Sequence, residues 1–109
     1  MRVLTYAGSE FLIGNDIAEA VLRYSEALAD AHTAGSIEIP VVTANGSVRM
    51  ATFLVGPASQ IVSAQVDSEY EDPVRPDVVE RLDSLTRALR PHAVTEAVEP
   101  ERADWDEDY

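Results

Sequence analysis

Residues 37–55 read IEIPVVTANGSVRMATFLV. Two β-branched and apolar runs, Ile37 to Ala44 and Ser47 to Val55, flank Asn45-Gly46. Asn-Gly between such runs is the strongest short-range hairpin signal, because both residues tolerate the positive φ of a type I′ turn. Closure on two residues sets a register that pairs Thr43 with Val48, Val41 with Met50, Ile39 with Thr52 and Ile37 with Leu54. Side chains alternate along a strand, so this set shares one face, which is nearly all apolar and is expected to meet the helices. The opposite face then carries Glu38, Pro40, Val42, Arg49, Ala51, Phe53 and Val55. Its apolar members Val42, Phe53 and Val55, with Arg49 beside them, make a candidate contact surface, since apolar, aromatic and Arg residues are favoured at interfaces.

The flanking elements follow from this hairpin. Gly56-Pro57 ends the second strand, and the alternating run Gln60 to Val66 predicts a third strand that completes an antiparallel meander with an exposed edge. Upstream, Ile17, Val21, Tyr24, Leu28 and Ala31 recur at helical spacing. Asp16 with Glu19 three residues on predicts a capping box, Glu19 and Arg23 suit an ion pair four residues apart, and Gly35 is the terminator. Arg2 to Tyr6 reads as a strand, Gly8-Ser9 as a turn, and Phe11 to Ile13 as a short return strand. A second helix is expected from Pro76 to Arg90, with Pro at its start and Val78, Leu82, Leu85 and Leu89 as its stripe. The fold class is therefore α+β: an antiparallel sheet of three to four strands with two helices on one face, in the order β(β)-α-β-β-β-α. Residues 1–91 form one domain, and residues 92–109 are expected to be a flexible acidic tail.

Composition limits the functions open to this fold. The 109 residues include no Cys, which removes disulfides, thiolate metal sites and thiol nucleophiles together. The net charge is -12, and every cation is Arg. Such a balance argues against direct contact with nucleic acid or an anionic membrane surface. Charge is also uneven: residues 67–109 hold 14 of the 20 acids. No window reaches the roughly 20 apolar residues of a membrane span, and the first residues lack the pattern of a signal peptide. A cytoplasmic protein is expected.

Candidate chemistry is sparse. His32 and His92 fall at helix ends, where a surface role accounts for them more simply than catalysis or metal binding. Ser59 lies in a tight loop after Gly56-Pro57 and reads as a turn residue rather than a nucleophile. Carboxylate pairs such as Glu69/Glu71 and Asp106/Asp108 lie in solvated stretches that offer no burial to raise a pKa. No catalytic, cofactor-binding or metal-ligating residue is assigned, and no cofactor is expected. Contact residues are assigned in the tail instead: Trp105 and Tyr109 among Asp104, Asp106, Glu107 and Asp108, aromatics that can dock while the acids steer towards a basic surface.

The order helix, three strands, helix over Asp16 to Arg90 is similar to that of double-stranded RNA-binding domains. Those domains hold phosphates with a basic cluster at the start of the second helix. Here Pro76, Asp77, Val78, Val79 and Glu80 stand there, so the likeness is one of order and carries no activity. The expected function is a small non-enzymatic protein-interaction or regulatory module with a basic, nucleic-acid-binding protein as partner, and with a homodimer through the sheet face or an edge strand. The alternative is a small-molecule binder or minor enzyme with a pocket between the first helix and the sheet, which would need buried polar groups there.

Overall fold

The computed structural model describes residues 1–89. They form β1 (Arg2–Tyr6), β2 (Ser9–Ile13), α1 (Asn15–Asp30), β3 (Gly35–Val42), β4 (Val48–Val55), β5 (Ile61–Gln65) and α2 (Pro76–Ala88). The α+β class stands, with five antiparallel strands in one sheet of order β4-β3-β2-β1-β5. The sequence reading expected three to four strands. The return strand after Gly8 runs the full Ser9–Ile13, paired along its length with β1.

The two hairpins use different turns from those their sequences suggest. Tyr6 pairs with Ser9, leaving Ala7 and Gly8 as a two-residue loop with φ of 53° and 83°. That is the type I′ conformation, achieved with Ala in the first position. Asn45-Gly46, by contrast, does not form a type I′ turn. Only Gly46 takes positive φ, 86°, and its N–H donates to the Thr43 carbonyl at 2.9 Å while Thr43 N–H donates to the Ser47 carbonyl at 2.8 Å. This is a type I turn followed by a left-handed glycine, the three-residue hairpin loop. Asn45 supports it from within, its Oδ1 accepting from Thr43 Oγ1 at 2.7 Å and from Ser47 N–H at 3.1 Å.

One extra loop residue moves the register by one, and a one-residue slip turns a strand over. Val42 pairs with Val48, Ile39 with Ala51 and Ile37 with Phe53. Ile37 and Ile39 still face the core, but on β4 the inward set is now Ala51, Phe53 and Val55, and Val48, Met50, Thr52 and Leu54 point outward.

The third strand of the expected meander goes elsewhere. β5 pairs with β1 at the far edge, Ile61 opposite Tyr6 and Gln65 opposite Arg2. The ladder with β1 holds β5 there, and the end of β4 lies close by. The Tyr6 hydroxyl donates to the Leu54 carbonyl, which brings the end of β4 beside β1. The link after β4 is a tight turn, with Gly56 N–H donating to Ser59 Oγ and Ser59 N–H to the Gly56 carbonyl, both at 3.0 Å. The chain therefore leaves β4 next to Tyr6 and enters the sheet there. This ends the likeness in strand arrangement to a three-strand meander between two helices.

The two halves of the sheet, β5-β1-β2 and β3-β4, join through one residue pair, Leu12 with Val42. Pro40 gives the reason. Thr43 and Ser47 are a hydrogen-bonded pair, so alternation turns the backbone groups of Val42 and Pro40 towards β2. Proline has no N–H to donate there, and the ladder stops. Beyond it the halves are held by rings: Phe53 meets Phe11 edge-on at 4.8 Å and Tyr6 at 5.5 Å between centroids.

α1 covers the inward face. Ile17, Val21, Tyr24 and Leu28 from its stripe pack with Leu4, Ile13, Ile37, Ile39, Phe53 and Val55. Each large side chain so buried contributes about 1.5–3 kcal/mol. The helix starts two residues earlier than the capping box implies, with Gly14 as N-cap and no side-chain cap bond. Glycine is required at 14 because a Cβ would strike the Pro73 carbonyl oxygen. The helix ends in a left-handed closure before Gly35, with His32 at φ 54° and Thr33 N–H donating to the Leu28 carbonyl at 3.1 Å. α2 does not lie beside α1 on the sheet; it packs chiefly against α1, burying Val78 and Leu82. Arg23 donates to Asp83 of α2 from Nε and Nη2, one edge of its guanidinium, at 3.1 and 3.2 Å. Residues 66–75 connect β5 to α2 along the turn end of β3-β4, where Tyr70 covers Gly46 and its hydroxyl donates to the Ala44 carbonyl at 2.9 Å.

Candidate interaction surface

The contact surface assigned from sequence divides when the register is known. Phe53 is 5% exposed and Val55 1%, both in the core beneath α1. Val42 is also buried, at the joint with Leu12. Arg49 is exposed, near the Thr43–Ser47 turn. Phe53 and Val55 are therefore corrected from contact residues to core residues, and Val42 to a buried residue. For Phe53 and Val55 the physical reason is the turn, since a three-residue loop puts the other phase of β4 outside; Val42 keeps its outward phase opposite Val48 and is covered where β3 joins β2. Asp104, Trp105, Asp106, Glu107, Asp108 and Tyr109 lie outside the described residues.

The residues that take their place are Val48, Met50 and Leu54, at 53%, 47% and 66% exposure. They occupy alternate positions on the outward side of β4, with Thr52 between them. Reading the sequence alone missed them because VRMATFLV is apolar in both phases. Val48, Met50, Thr52 and Leu54 make as good an inward row as Arg49, Ala51, Phe53 and Val55, so alternation cannot choose between them. Only Gly46 carries a signal, since a glycine at the third loop position marks the longer loop.

The backbone of β4 adds a second property. The same alternation that turns Pro40 towards β2 turns the N–H and C=O groups of Val48, Met50, Thr52 and Leu54 away from β3. β4 is an edge strand, so these groups have no neighbouring strand. The Leu54 carbonyl is taken by Tyr6, which leaves Val48 to Thr52 as the open run. Natural edges are commonly blunted by charge, proline or a bulge. Among Val48–Thr52 the one charged side chain is Arg49, on the other phase.

Elsewhere the chemistry is limited. Among the described residues there is no group of three or more His, Asp or Glu placed to hold a metal ion. The region between α1 and the sheet is filled by Leu4, Ile13, Ile17, Val21, Leu28 and Ile39, each at most 1% exposed, and no polar or charged residue is buried with them. A cleft at the start of α2 is lined by Asp16, Val79, Glu80, Asp83 and Arg87 and is open to solvent. At its rim the Asp77 carboxylate takes two bonds from Arg75, at 3.0 and 2.9 Å, and these hold it below the usual carboxylate range. Both side chains are exposed, Arg75 at 44% and Asp77 at 67%. No helix among the described residues is long and apolar enough to cross a membrane.

No protein family, curated protein or solved structure matches the chain.

Proposed function

We propose that this chain is a small non-enzymatic protein-interaction module that docks a protein partner on the outward face of the β3-β4 hairpin. The observation that carries the reading is the row Val48, Met50 and Leu54, three large apolar side chains about half or more exposed on one face of one strand. An apolar row of this kind is what an interface centre consists of. The surroundings select the partner's charge. Glu38 stands on the same face opposite Thr52, Glu10 is exposed on β2, and the connection 66–75 adds Asp67, Glu69, Glu71 and Asp72. A partner that covers the apolar row meets an acidic rim, so its own contact is apolar at the centre and basic around it. Such a surface occurs on nucleic-acid-binding proteins, with the acidic module competing for the site. The solid apolar core under α1 weighs against the other reading, a ligand pocket between that helix and the sheet, since ligand sites need convergent polar groups.

The test is affinity capture from native lysate with the full chain and with Leu54→Asp, at low and high salt, read by mass spectrometry. The expected result is a basic protein held by the parent chain, lost with Leu54→Asp, and weakened at high salt because rim charges are screened over about 10 Å at 0.1 M salt. The same proteins held equally by both chains would refute the assignment of the surface.

A further inference from the structure

We infer that the open edge of β4 pairs antiparallel with the same edge of a second copy, giving a two-fold dimer centred on Met50. This goes beyond the reading above: it concerns the strand's hydrogen-bonding edge rather than its side-chain face, and stands if no basic partner exists.

Three observations point to a second copy as the occupant. The first is the row of outward N–H and C=O groups from Val48 to Thr52, which a strand satisfies and a globular surface does not. The second is charge. A chain at -12 repels its own copies across most of its surface, yet residues 39–66 contain no acid, and their one charge is Arg49. The strand edge itself thus brings no acid of its own between two copies; the nearest are Glu38 on β3 and Glu71 and Asp72 beside Val48, at the rim of the contact rather than in its ladder. An adjacent basic partner would find no counter-charge on the strand itself. The third is geometry. The Tyr6 hydroxyl closes the edge at Leu54 and the Thr43–Ser47 turn closes it at the other end. The run between them has Met50 at its middle. A two-fold axis there places Met50 opposite Met50 of the copy, and Val48 opposite Thr52 in both directions. The residues whose backbone points outward then form the hydrogen-bonded pairs, and Arg49 faces Ala51 of the copy in the non-hydrogen-bonded pairs between them. An isologous contact of this kind closes on itself and does not grow into a filament. It also sets the two outward rows of Val48, Met50, Thr52 and Leu54 side by side on one continuous face.

Light scattering on the full chain, across a dilution series, gives the first readout: a mass twice the 11.9 kDa of one chain. Thr52→Pro removes an N–H that β3 does not use, so the hairpin keeps its bonds while the edge loses a donor and gains a ring. This variant is expected to be monomeric with an unchanged far-UV circular dichroism spectrum. The chain has no Cys, so Met50→Cys introduces a single thiol. In the dimer its Cα stands about 5.5 Å from its mate, within the range of roughly 4.4–6.8 Å that a disulfide spans. Mild oxidation is expected to cross-link Met50→Cys nearly completely and Val62→Cys, 61% exposed on the opposite edge strand, far less. If Thr52→Pro fails to fold, the two cysteine variants decide the matter alone. A wild-type chain that is monomeric at every concentration, a folded Thr52→Pro that remains dimeric, or equal cross-linking at residues 50 and 62 would each overturn the proposal.

Discussion

Phe53→Ala tests the register of the hairpin, on which the assignment of every outward residue depends. Phe53 is 5% exposed and meets both Phe11 and Tyr6 edge-on. Truncating a buried Phe costs about 3–5 kcal/mol, from lost transfer energy and the cavity left behind. Its neighbours are themselves large rings that cannot collapse into the gap, which places the expected loss in the upper half of that range. Leu54, next in sequence, is 66% exposed. Only a third of its surface is removed from water, so Leu54→Ala is expected to cost about a third of the 1.5–3 kcal/mol of full burial, roughly 0.5–1 kcal/mol. The assay is urea unfolding in dilute solution followed by circular dichroism. With a slope of about 2 kcal/mol per molar urea, Phe53→Ala lowers the midpoint by about 2 M and Leu54→Ala by under about 0.5 M. A larger loss at Leu54 than at Phe53 would refute the three-residue loop and restore the two-residue one.

Gly46→Ala forces a side chain into φ 86° and against the Tyr70 ring, which lies 2.7 Å from the added Cβ. The left-handed backbone alone costs about 1–2 kcal/mol, and a thermal melt of the variant should show a fall of several degrees. Arg23 and Asp83 tie α1 to α2 with a two-pronged pair, but Arg23 is 48% exposed. A double-mutant cycle of the two alanine variants should give a coupling of no more than about 1 kcal/mol, shrinking with salt. The Arg75 guanidinium lowers the Asp77 pKa, so any stability the pair contributes is present above the ordinary carboxylate range and is lost as pH falls through the lowered value. Carboxyl NMR titration should place Asp77 below its unfolded-state pKa, and Arg75→Ala should return it upward.

Local signals in this chain are reliable where one residue type has one conformational use. The run after Asp16, to Ala31, is helical because its apolar residues recur at 3.6, and the observed Asn15–Asp30 starts two residues earlier and ends one earlier. Pro76 marks the start of α2. The two turns show where this fails. Asn45-Gly46 has the residues of a type I′ turn and forms a type I turn with a left-handed glycine, while Ala7-Gly8 takes the type I′ shape without Asn. Both turn types accept glycine, and the strands around each decide between them. On β4 they decide through burial: the inward phase holds Phe53, which fits between Tyr6 and Phe11, and Leu54 in its place has no such ring cluster to join.

The sequence by itself determined the class of the protein, its two helices, the hairpin around Gly46 and the acidic charge balance. These depend on periodicity, turn chemistry and charge, which are properties of neighbouring residues. Tertiary structure alone decided which phase of β4 faces out and where β5 pairs. The first depends on one loop residue whose effect is read only against the rings of the core. The second depends on the ladder that β1 offers at its free edge, Arg2 to Tyr6 against Gln65 to Ile61, residues far apart in the chain. A strand that is apolar on both faces contains no local record of which face meets the core, so its surface becomes known only once the rest of the chain has packed against it.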